Sequence, residues 1–331
     1  MKRLAHLMLV PLVFASLASQ LSADDRLNAR LEKALQKYPE ADTNNDGVLT
    51  LEEAKSHRDK LTSAKKRRRS ATPNTTVANS RAEAKTHSQL GEVGDGAKCL
   101  FMGHSFFIPV AKTFDELAKT NGVRGHRAQF VMSGGGSGAP GRLWQSTQHR
   151  QAATAILQTG DVEVIGMTYY DESDCSVDDY QRWIDLALKH NPETRVFIGL
   201  CWPDSPAASS NEFDEILETA QERLFNTIEE LRDRYPAVAI DFVNYGATAS
   251  HLKRGLEEGN LPEITDLIAR GPQAIFRDSK GHAGPLLLEL AALAWIEHLY
   301  DADIDGLESG SMSRFASQIP RKVAEFNQRF E

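Results

Sequence analysis

The sequence predicts an α/β fold with a parallel sheet that is covered by helices on both faces. From Lys98 onward, short apolar runs alternate with longer stretches of helical periodicity, which is the pattern of strands that alternate with helices. Hydrophobic residues make up 41% of the 331-residue chain, which is sufficient for a sizeable core. In such sheets ligands bind at the carboxyl ends of the strands, so functional residues are expected in the loops that follow them.

Each element of the fold is predicted from its own periodicity. The strands are predicted at Lys98–Met102, Ala128–Met132, Val162–Thr168, Arg195–Leu200 and Val238–Val243. The helices between them are predicted near Thr113–Thr120, His149–Leu157, Asp178–His190 and Asn211–Tyr235. A last helix, Pro285–Tyr300, is apolar nearly all round and too short to span a membrane, so we expect it to be buried in the core.

Residues 1–23 have the three-part form of a secretory signal. They begin with Lys2 and Arg3, continue with an apolar run from Leu7 to Leu17, and end in small residues. The apolar core of about ten residues is too short to span a bilayer, which favours cleavage over anchoring. We therefore expect an exported protein, periplasmic or extracellular, that begins near Asp24 and keeps no transmembrane segment.

The remaining chain is predicted to have three parts. Residues 24–69 contain a short helix, a polar loop and a second helix that runs into the basic tract Lys65–Arg69. Residues 70–96 lack apolar periodicity and are predicted to be a linker. Residues 97–331 form the α/β domain, with twenty-two Lys and Arg against thirty-four Asp and Glu. This acidic balance disfavours nucleic acid as a partner, because binding it relies on neutralising phosphates.

The cysteines indicate neither a disulfide framework nor a metal site. Cys99 and Cys201 lie in strand-like apolar runs, where buried thiols are the simplest interpretation. The third cysteine is Cys175. One disulfide is possible in an exported protein, and it would leave one of the three cysteines unpaired.

The segment from Asp42 to Glu53 has the residue pattern of a calcium-binding loop. Calcium takes six to eight oxygen ligands, which a twelve-residue loop supplies when alternating side chains point inward. The expected ligands are Asp42, Asn44, Asp46, the Val48 carbonyl, Thr50 and both carboxylate oxygens of Glu53. Gly47 would make the sharp turn. This is the pattern of an EF-hand, so residues 24–69 are predicted to form a small helical EF-hand module with Ca²⁺ as its cofactor.

Two other interpretations of these acidic segments are possible. The Asp42–Glu53 loop is also compatible with an Asx-rich turn that begins a helix. Asp301–Gly306 imitates the first half of a second calcium loop, but Met312 would occupy its last position. A lone EF-hand suggests modest affinity, suited to extracellular calcium.

Polar residues that suit acyl chemistry follow the predicted strands. Ser105, in Gly103-His104-Ser105, comes after the first strand, where a hydroxyl lies at the positive N-terminus of a helix. The glycine-rich loop Ser133–Gly138 follows the second strand, and its N–H groups can approach a developing oxyanion. Asp278 and His282 lie shortly before the last helix.

These residues, in this order, resemble the SGNH (GDSL-like) hydrolases over about residues 98–300. The resemblance implies a flavodoxin-like three-layer α/β/α domain and a serine-esterase mechanism that needs no cofactor. It implies Ser105 as the nucleophile, His282 as its base and Asp278 as the group that fixes the tautomer of His282. Gly135 or Gly136 would hold the oxyanion, together with the N–H of Ser105.

The chain departs from the pattern of the family at three places. His104 stands where the family has Asp or Asn beside the nucleophile. After the third strand the chain has no Asn, so Tyr170 is the group that could offer a hydroxyl to the oxyanion. Asp278 is one residue further from His282 than in the family motif, and Ser279 holds the standard position.

Two functions are therefore compatible with the sequence. The first is an exported calcium-binding protein whose SGNH-type domain deacylates small-molecule or polysaccharide esters. The second is a catalytically inactive SGNH-fold binding protein that carries a calcium-binding EF-hand. Trp202 could line a sugar-binding cleft or belong to the core edge, and the acidic residues Asp171–Asp179 are most simply carboxylates at the beginning of a helix. The sequence does not indicate an oligomeric state.

Overall fold

The computed structural model describes residues 35, 39–44, 46–50, 53, 56, 95–170, 175–302, 304 and 314–327. The chain divides into two units, residues 1–84 and 85–331. The predicted signal and basic tract lie outside the described residues, as does the predicted linker apart from its last two residues. So do most residues of the helices predicted on either side of the calcium loop, the segment Asp171–Asp174, and three of the six residues of Asp301–Gly306.

The second unit consists of strands that alternate with helices. Its described strands are β1 (Lys98–Gly103), β2 (Arg127–Met132), β3 (Val164–Tyr169), β4 (Arg195–Leu200), β5 (Ile240–Asn244), β6 (Asp266–Ile268) and β7 (Ala274–Phe276). Its described helices are α1 (Ile108–Thr120), α2 (Pro140–Gln145), α3 (Thr147–Leu157), α4 (Val177–His190), α5 (Ser210–Arg234), α6 (Ala247–Glu257), α7 (Pro285–Tyr300), α8 (Arg314–Ser317) and α9 (Ile319–Asn327). A 3-10 turn, Gly135–Gly138, precedes α2.

The first five strands form one parallel sheet. Their order is β2-β1-β3-β4-β5, and each neighbouring pair runs parallel. This is the strand order of flavodoxin-like folds. In these folds the order in which successive strands are added to the sheet reverses between β1 and β3. The predicted α/β fold with a parallel sheet and helices on both faces is confirmed.

Two hydrophobic layers cover the two faces of this sheet. Side chains alternate along a strand, so in β1 Cys99 and Phe101 enter one layer while Leu100 and Met102 enter the other. The first layer contains α1 and α7, with Trp295 at its centre. The second contains residues of α2, α3, α4 and most of the buried face of α5. Because both faces are covered, strands such as β3 are buried throughout, and their sequences are continuous apolar runs.

The predicted boundaries hold best where hydrophobic runs are sharply bounded. β4 and α7 have the predicted limits, and α7 is a core helix as expected. By contrast, α1 begins at Ile108, before the predicted Thr113, because Pro109 lies in its first turn, where a missing N–H costs nothing. Helix α6 was not predicted; it contains Gly255, a poor helix former, and packing of its buried side chains overrides that propensity.

In the part of the chain that the structure describes, no helix combines the length and apolar character needed to cross a membrane.

Candidate active site

Ser105 lies in a tight turn between β1 and α1. β1 ends at Gly103, and the N–H groups of Phe107 and Ile108 donate to the carbonyl of His104 over 3.1 and 2.9 Å. The turn therefore winds directly into α1 and leaves Ser105 partly buried at the carboxyl edge of the sheet. This is the position in which ligands bind in open α/β sheets.

The structure brings Ser105 and His282 together. The Oγ of Ser105 lies 3.1 Å from Nε2 of His282, although the two residues are 177 positions apart in sequence. The distance is within hydrogen-bond reach, which a base that takes the serine proton requires.

Asp278 lies on the other side of the imidazole of His282. Nδ1 of His282 is 2.8 Å from Oδ2 of Asp278 and 3.0 Å from Oδ1. Since a carboxylate only accepts hydrogen bonds, Nδ1 carries the proton and Nε2 is left to accept the hydroxyl of Ser105. The three side chains form one hydrogen-bonded chain from carboxylate to hydroxyl.

The extra residue between Asp278 and His282 is accommodated by the backbone. Gly281 has a left-handed φ of 82°, and its N–H donates to the carbonyl of Asp278 over 3.1 Å. The N–H groups of Lys280 and His282 donate to Oδ1 of Asp278, over 3.1 and 3.3 Å. This turn folds the chain back, so Asp278 reaches His282 despite its longer spacing.

The pKa of Asp278 is lowered in this turn. Burial alone raises the pKa, but the hydrogen bonds from His282 and from the N–H of Lys280 outweigh it and hold the pKa below its ordinary value. The carboxylate is therefore ionised at neutral pH, as it must be to hold the Nδ1 proton of His282.

The glycine-rich loop lies beside the nucleophile turn. Gly138 contacts His104 so closely that a Cβ at position 138 would lie 2.7 Å from the Cα of His104. Gly134 and Gly135 line the same cavity as Ser105, whereas Gly136 does not. Gly136 instead accepts the N–H of Ala139 through its carbonyl, over 3.0 Å.

Three backbone N–H groups near Ser105 are available to a ligand. Within the described part of the chain, the N–H groups of Ser105, Gly134 and Gly135 donate no hydrogen bond. N–H groups without a protein acceptor, beside a candidate nucleophile, suit an oxyanion. Of the two predicted glycines, Gly135 is the better placed because it lines the cavity and Gly136 does not; Gly134 also lines it and is a candidate that the sequence did not single out.

His104 supports the nucleophile turn through both ring nitrogens. Its Nδ1 accepts the N–H of Phe106 over 3.1 Å, so the proton lies on Nε2, which is 3.0 Å from Oγ1 of Thr168. Burial, with a further contribution from the nearby His282, lowers the pKa of His104 to about 4. The ring is therefore neutral at pH 7. Its Nδ1 accepts a backbone N–H at the position where the SGNH hydrolases have Asp or Asn.

Aromatic rings hold the segment that carries His282. Phe106 stacks on Trp202 with ring centroids 5.6 Å apart and meets the ring of His282 edge-on at 5.3 Å. Trp202 is only 1% exposed and donates its indole N–H to the carbonyl of Gly281 over 2.8 Å. Trp202 borders the cavity but is almost fully buried, so it is part of the core edge and not an exposed platform for sugars.

The cavity above Ser105 has a volume of about 760 Å³. The lining residues come from the ends of β1, β3 and β4, from α5, and from the loop that carries His282. Tyr170, the predicted replacement for the missing Asn, lines the cavity and meets His104 edge-on at 5.4 Å. The volume lies within the ordinary range of small-molecule sites.

The three cysteines are free thiols. Cys201 lines the cavity, and its Sγ lies 3.9 Å from Nε2 of His104. Burial raises the pKa of Cys201 to about 12, so the thiol stays protonated. Ser105 is therefore the better candidate for the nucleophile.

The first unit contains the Asp42–Glu53 loop. Gly47 has a φ of 79° and donates its N–H to Oδ2 of Asp42 over 2.9 Å. The carboxylate of Glu53 spans the loop and accepts hydrogen bonds from the N–H and hydroxyl groups of Thr43 and Thr50. These bonds, those from Thr50 first, lower the pKa of Glu53 to about 2.

The same loop leaves one buried oxygen unsatisfied. Oδ1 of Asp42 is buried and has no hydrogen-bond partner among the described residues. Such an atom is costly unless a ligand or water meets it. Within the described ranges, no three His, Cys, Asp or Glu side chains are grouped closely enough to hold a metal ion.

Comparisons with known proteins give distant likenesses of fold. No protein-family model matches the chain, and no curated protein matches it by sequence. One similar solved structure is a DUF4886 family protein from Bacteroides uniformis, 13% identical, with a TM-score of 0.42 over 70% of this chain and 94% of that one. Another is the periplasmic domain of a lipopolysaccharide acetyltransferase from Salmonella ser. Paratyphi A, 12% identical, with a TM-score of 0.34 over 46% of this chain and 68% of that one.

Proposed function

We propose that the α/β domain is a serine esterase whose nucleophile is Ser105. The observation that carries the proposal is the hydrogen-bonded chain Ser105–His282–Asp278, with distances of 3.1 Å and 2.8 Å, at the edge of a cavity. A serine, a histidine and a carboxylate in these mutual positions are the parts of a nucleophilic acyl-transfer site.

In the first half of the reaction, Oγ of Ser105 attacks the carbonyl carbon of the ester. Nε2 of His282 takes the hydroxyl proton, and the positive charge on the ring is stabilised by the ionised Asp278. The negative charge on the carbonyl oxygen is met by the N–H groups of Ser105, Gly134 and Gly135. The tetrahedral intermediate then collapses: the bond to the alcohol oxygen breaks, and His282 returns the proton to that oxygen.

In the second half, water takes the place of the alcohol. His282 removes a proton from the water as it attacks the acyl-Ser105 ester, and the same N–H groups hold the second oxyanion. Collapse releases the carboxylic acid and returns the proton to Ser105. The groups named here perform every proton transfer, so this mechanism involves no resident cofactor.

The rival function is a binding protein without catalysis. It predicts that the wild type and its variants do not differ in ester hydrolysis. Hydrolysis of p-nitrophenyl butyrate by the wild type, Ser105→Ala and Ser137→Ala separates the two. Ser137 lies in the same glycine-rich loop but does not line the cavity, so it is a matched control. We expect Ser105→Ala to lose about 10⁴-fold or more in kcat/KM while Ser137→Ala retains activity. Equal activity of all three proteins on a panel of acyl and acetyl-sugar esters would refute the proposal.

We propose in addition that the Asp42–Glu53 loop binds Ca²⁺. The proposal is supported by the buried, unpartnered Oδ1 of Asp42 and by the left-handed turn at Gly47. Asp42, Asn44, Asp46 and Glu53 would hold the ion, with the carbonyl of Val48 and Thr50. Titration calorimetry should show binding that Asp42→Ala weakens and Glu40→Gln, outside the loop, does not. Binding that survives Asp42→Ala unchanged would refute it.

Export stays a proposal that rests on residues 1–23. Mass spectrometry of the protein recovered from a Gram-negative periplasm or a culture medium should show a mature chain that begins near Asp24.

A further inference from the structure

The cavity beside Ser105 has two walls of different chemistry. One wall, here called the aliphatic wall, consists of Leu200, Ile216, Leu217 and Ala220. The other, here called the polar wall, consists of Asp204, Ser279 and Lys280, which are exposed and lie close in sequence to Trp202 or His282. A substrate that fits both walls has an apolar part and a polar part.

The two walls belong to opposite faces of the sheet. Leu200 and Leu217 are part of the hydrophobic layer that contains α4. Ala283 and Leu286, which follow His282, are part of the layer that contains α7. The cavity therefore passes over the carboxyl edge of the sheet, with His282 on one side and the aliphatic wall on the other.

Three of the four residues of the aliphatic wall lie on α5, a strongly acidic helix. Helix α5 carries Glu212, Asp214, Glu215, Glu218 and Glu222, and none of these lines the cavity. Ile216, Leu217 and Ala220 are at helical spacings that place them on one side of α5. Ile216 is 41% exposed, and beside Leu217 it extends the apolar surface toward solvent. Charge is excluded from this one strip of the helix.

The chemistry of ester hydrolysis gives the cavity a direction. His282 returns a proton to the oxygen of the leaving alcohol, so the alcohol must lie on the His282 side, next to the polar wall. The acyl chain, on the other side of the carbonyl carbon, is then directed toward the aliphatic wall. We propose that the substrate is an ester of an aliphatic acid of about four to eight carbons with a polar alcohol. This inference rests on the proposed esterase function and specifies its substrate class.

A series of esters with one alcohol and acyl chains of increasing length tests the proposal. The kcat/KM of wild type is measured on p-nitrophenyl acetate, butyrate, hexanoate and octanoate, each compared with Ser105→Ala. Burial of one methylene contributes about 0.8 kcal/mol, or about fourfold in kcat/KM. We expect hexanoate to exceed acetate by about tenfold or more. A flat or falling series that still depends on Ser105 would overturn the inference and leave the esterase function intact; absence of Ser105-dependent hydrolysis on every ester would overturn both.

A charged side chain introduced into the aliphatic wall tests whether the acyl chain binds there. Ile216→Asp should lower the ratio of hexanoate to acetate kcat/KM about tenfold, because the carboxylate must be desolvated beside the chain. Thr219→Asp adds the same charge to an exposed position of α5 outside the cavity and should leave the ratio unchanged. Ile216→Ser, a neutral polar change, should lower the ratio by a smaller factor. Ratios that stay at the wild-type value in both Ile216 variants, or that fall equally in Thr219→Asp, would overturn the inference.

Discussion

The indole N–H of Trp202 donates a 2.8 Å hydrogen bond to the carbonyl of Gly281, which ties the loop after β4 to the turn that carries His282. The two residues are 79 positions apart, and the bond is buried. It supports Gly281 where the backbone is left-handed, one residue before the candidate base. The position of His282 therefore depends on Trp202, which belongs to none of the catalytic motifs found in the sequence.

Trp202→Phe should reduce activity more than its loss of stability explains. The change removes the hydrogen bond and leaves the carbonyl of Gly281 buried without its donor, at a cost of about 1–3 kcal/mol in the free energy of unfolding. With His282 less well held, we expect kcat to fall about tenfold or more. Chemical denaturation and ester kinetics measure the two effects separately.

Trp295→Phe is the matched control for that variant. Trp295 is also fully buried, but its Nε1 has no hydrogen-bond partner among the described residues. It should lose stability through the smaller ring while its kcat falls much less than that of Trp202→Phe. Equal losses of kcat in the two variants would show that the bond to Gly281 does not position His282.

Asp278→Asn should impair the chemical step without disrupting the fold. The amide can present its N–H to Nδ1 of His282, which places the proton on Nε2, where it cannot accept the hydroxyl of Ser105. We expect kcat to fall by about 10³- to 10⁴-fold with little change in KM. Asp266→Asn, which changes an exposed carboxylate in β6, serves as the control. Retention of full activity by Asp278→Asn would exclude Asp278 as the partner of His282.

Gly138→Ala should destabilise the glycine-rich loop against the nucleophile turn. The new Cβ would lie 2.7 Å from backbone and side-chain atoms of His104, which forces the two segments apart. Overpacking of this kind costs about 1–3 kcal/mol in the free energy of unfolding. Gly134→Ala, whose Cβ would meet no atom within 4 Å, should leave the stability near that of wild type. Equal stability of the two variants in thermal unfolding would contradict the close contact.

His104 should make the protein less stable below pH 6.5. Its pKa is lowered from 6.5 to about 4 in the folded state, so between these values the unfolded chain binds more protons and the free energy of unfolding falls with falling pH. The full effect is about 3 kcal/mol and is reached near pH 4. Burial also lowers the pKa values of His126 and His251, so the informative quantity is the difference between wild type and a variant.

His104→Asn is the variant for this comparison, because its side-chain carbonyl can still accept the N–H of Phe106. Unfolding measured by urea at several pH values between 4 and 7 should show a shallower decline in the variant than in the wild type. Parallel declines would mean that His104 does not titrate as its burial requires.

Much of the fold could be predicted because its strands are continuous apolar runs. Arg195–Leu200 and Pro285–Tyr300 have the predicted limits, since polar or turn residues bound them sharply. β5 begins at Ile240, two residues later than predicted, because Val238 donates to the carbonyl of Tyr235 in a turn. Propensity alone could not reveal helices, such as α6, that depend on tertiary packing.

The site was predictable where it follows directly from strand and helix ends, and not where it depends on distant contacts. Ser105 and His282 were located because each lies next to an apolar element. The reach of Asp278 depends on the left-handed turn at Gly281, which spacing cannot reveal. The roles of Trp202 and of the aliphatic wall arise from loops and helices that meet only in the folded chain. The catalytic roles themselves remain predictions.

Covalent labelling of Ser105 is the most direct test of this site. A fluorophosphonate reacts with a serine that a neighbouring base activates, and intact-protein and peptide mass spectrometry locate the adduct. We predict one adduct on Ser105 in the wild type, none in Ser105→Ala, and labelling slowed about 10³-fold or more in His282→Ala. A wild-type protein that takes up no label, or takes it up on another residue, would contradict the assignment of Ser105 and His282 as nucleophile and base.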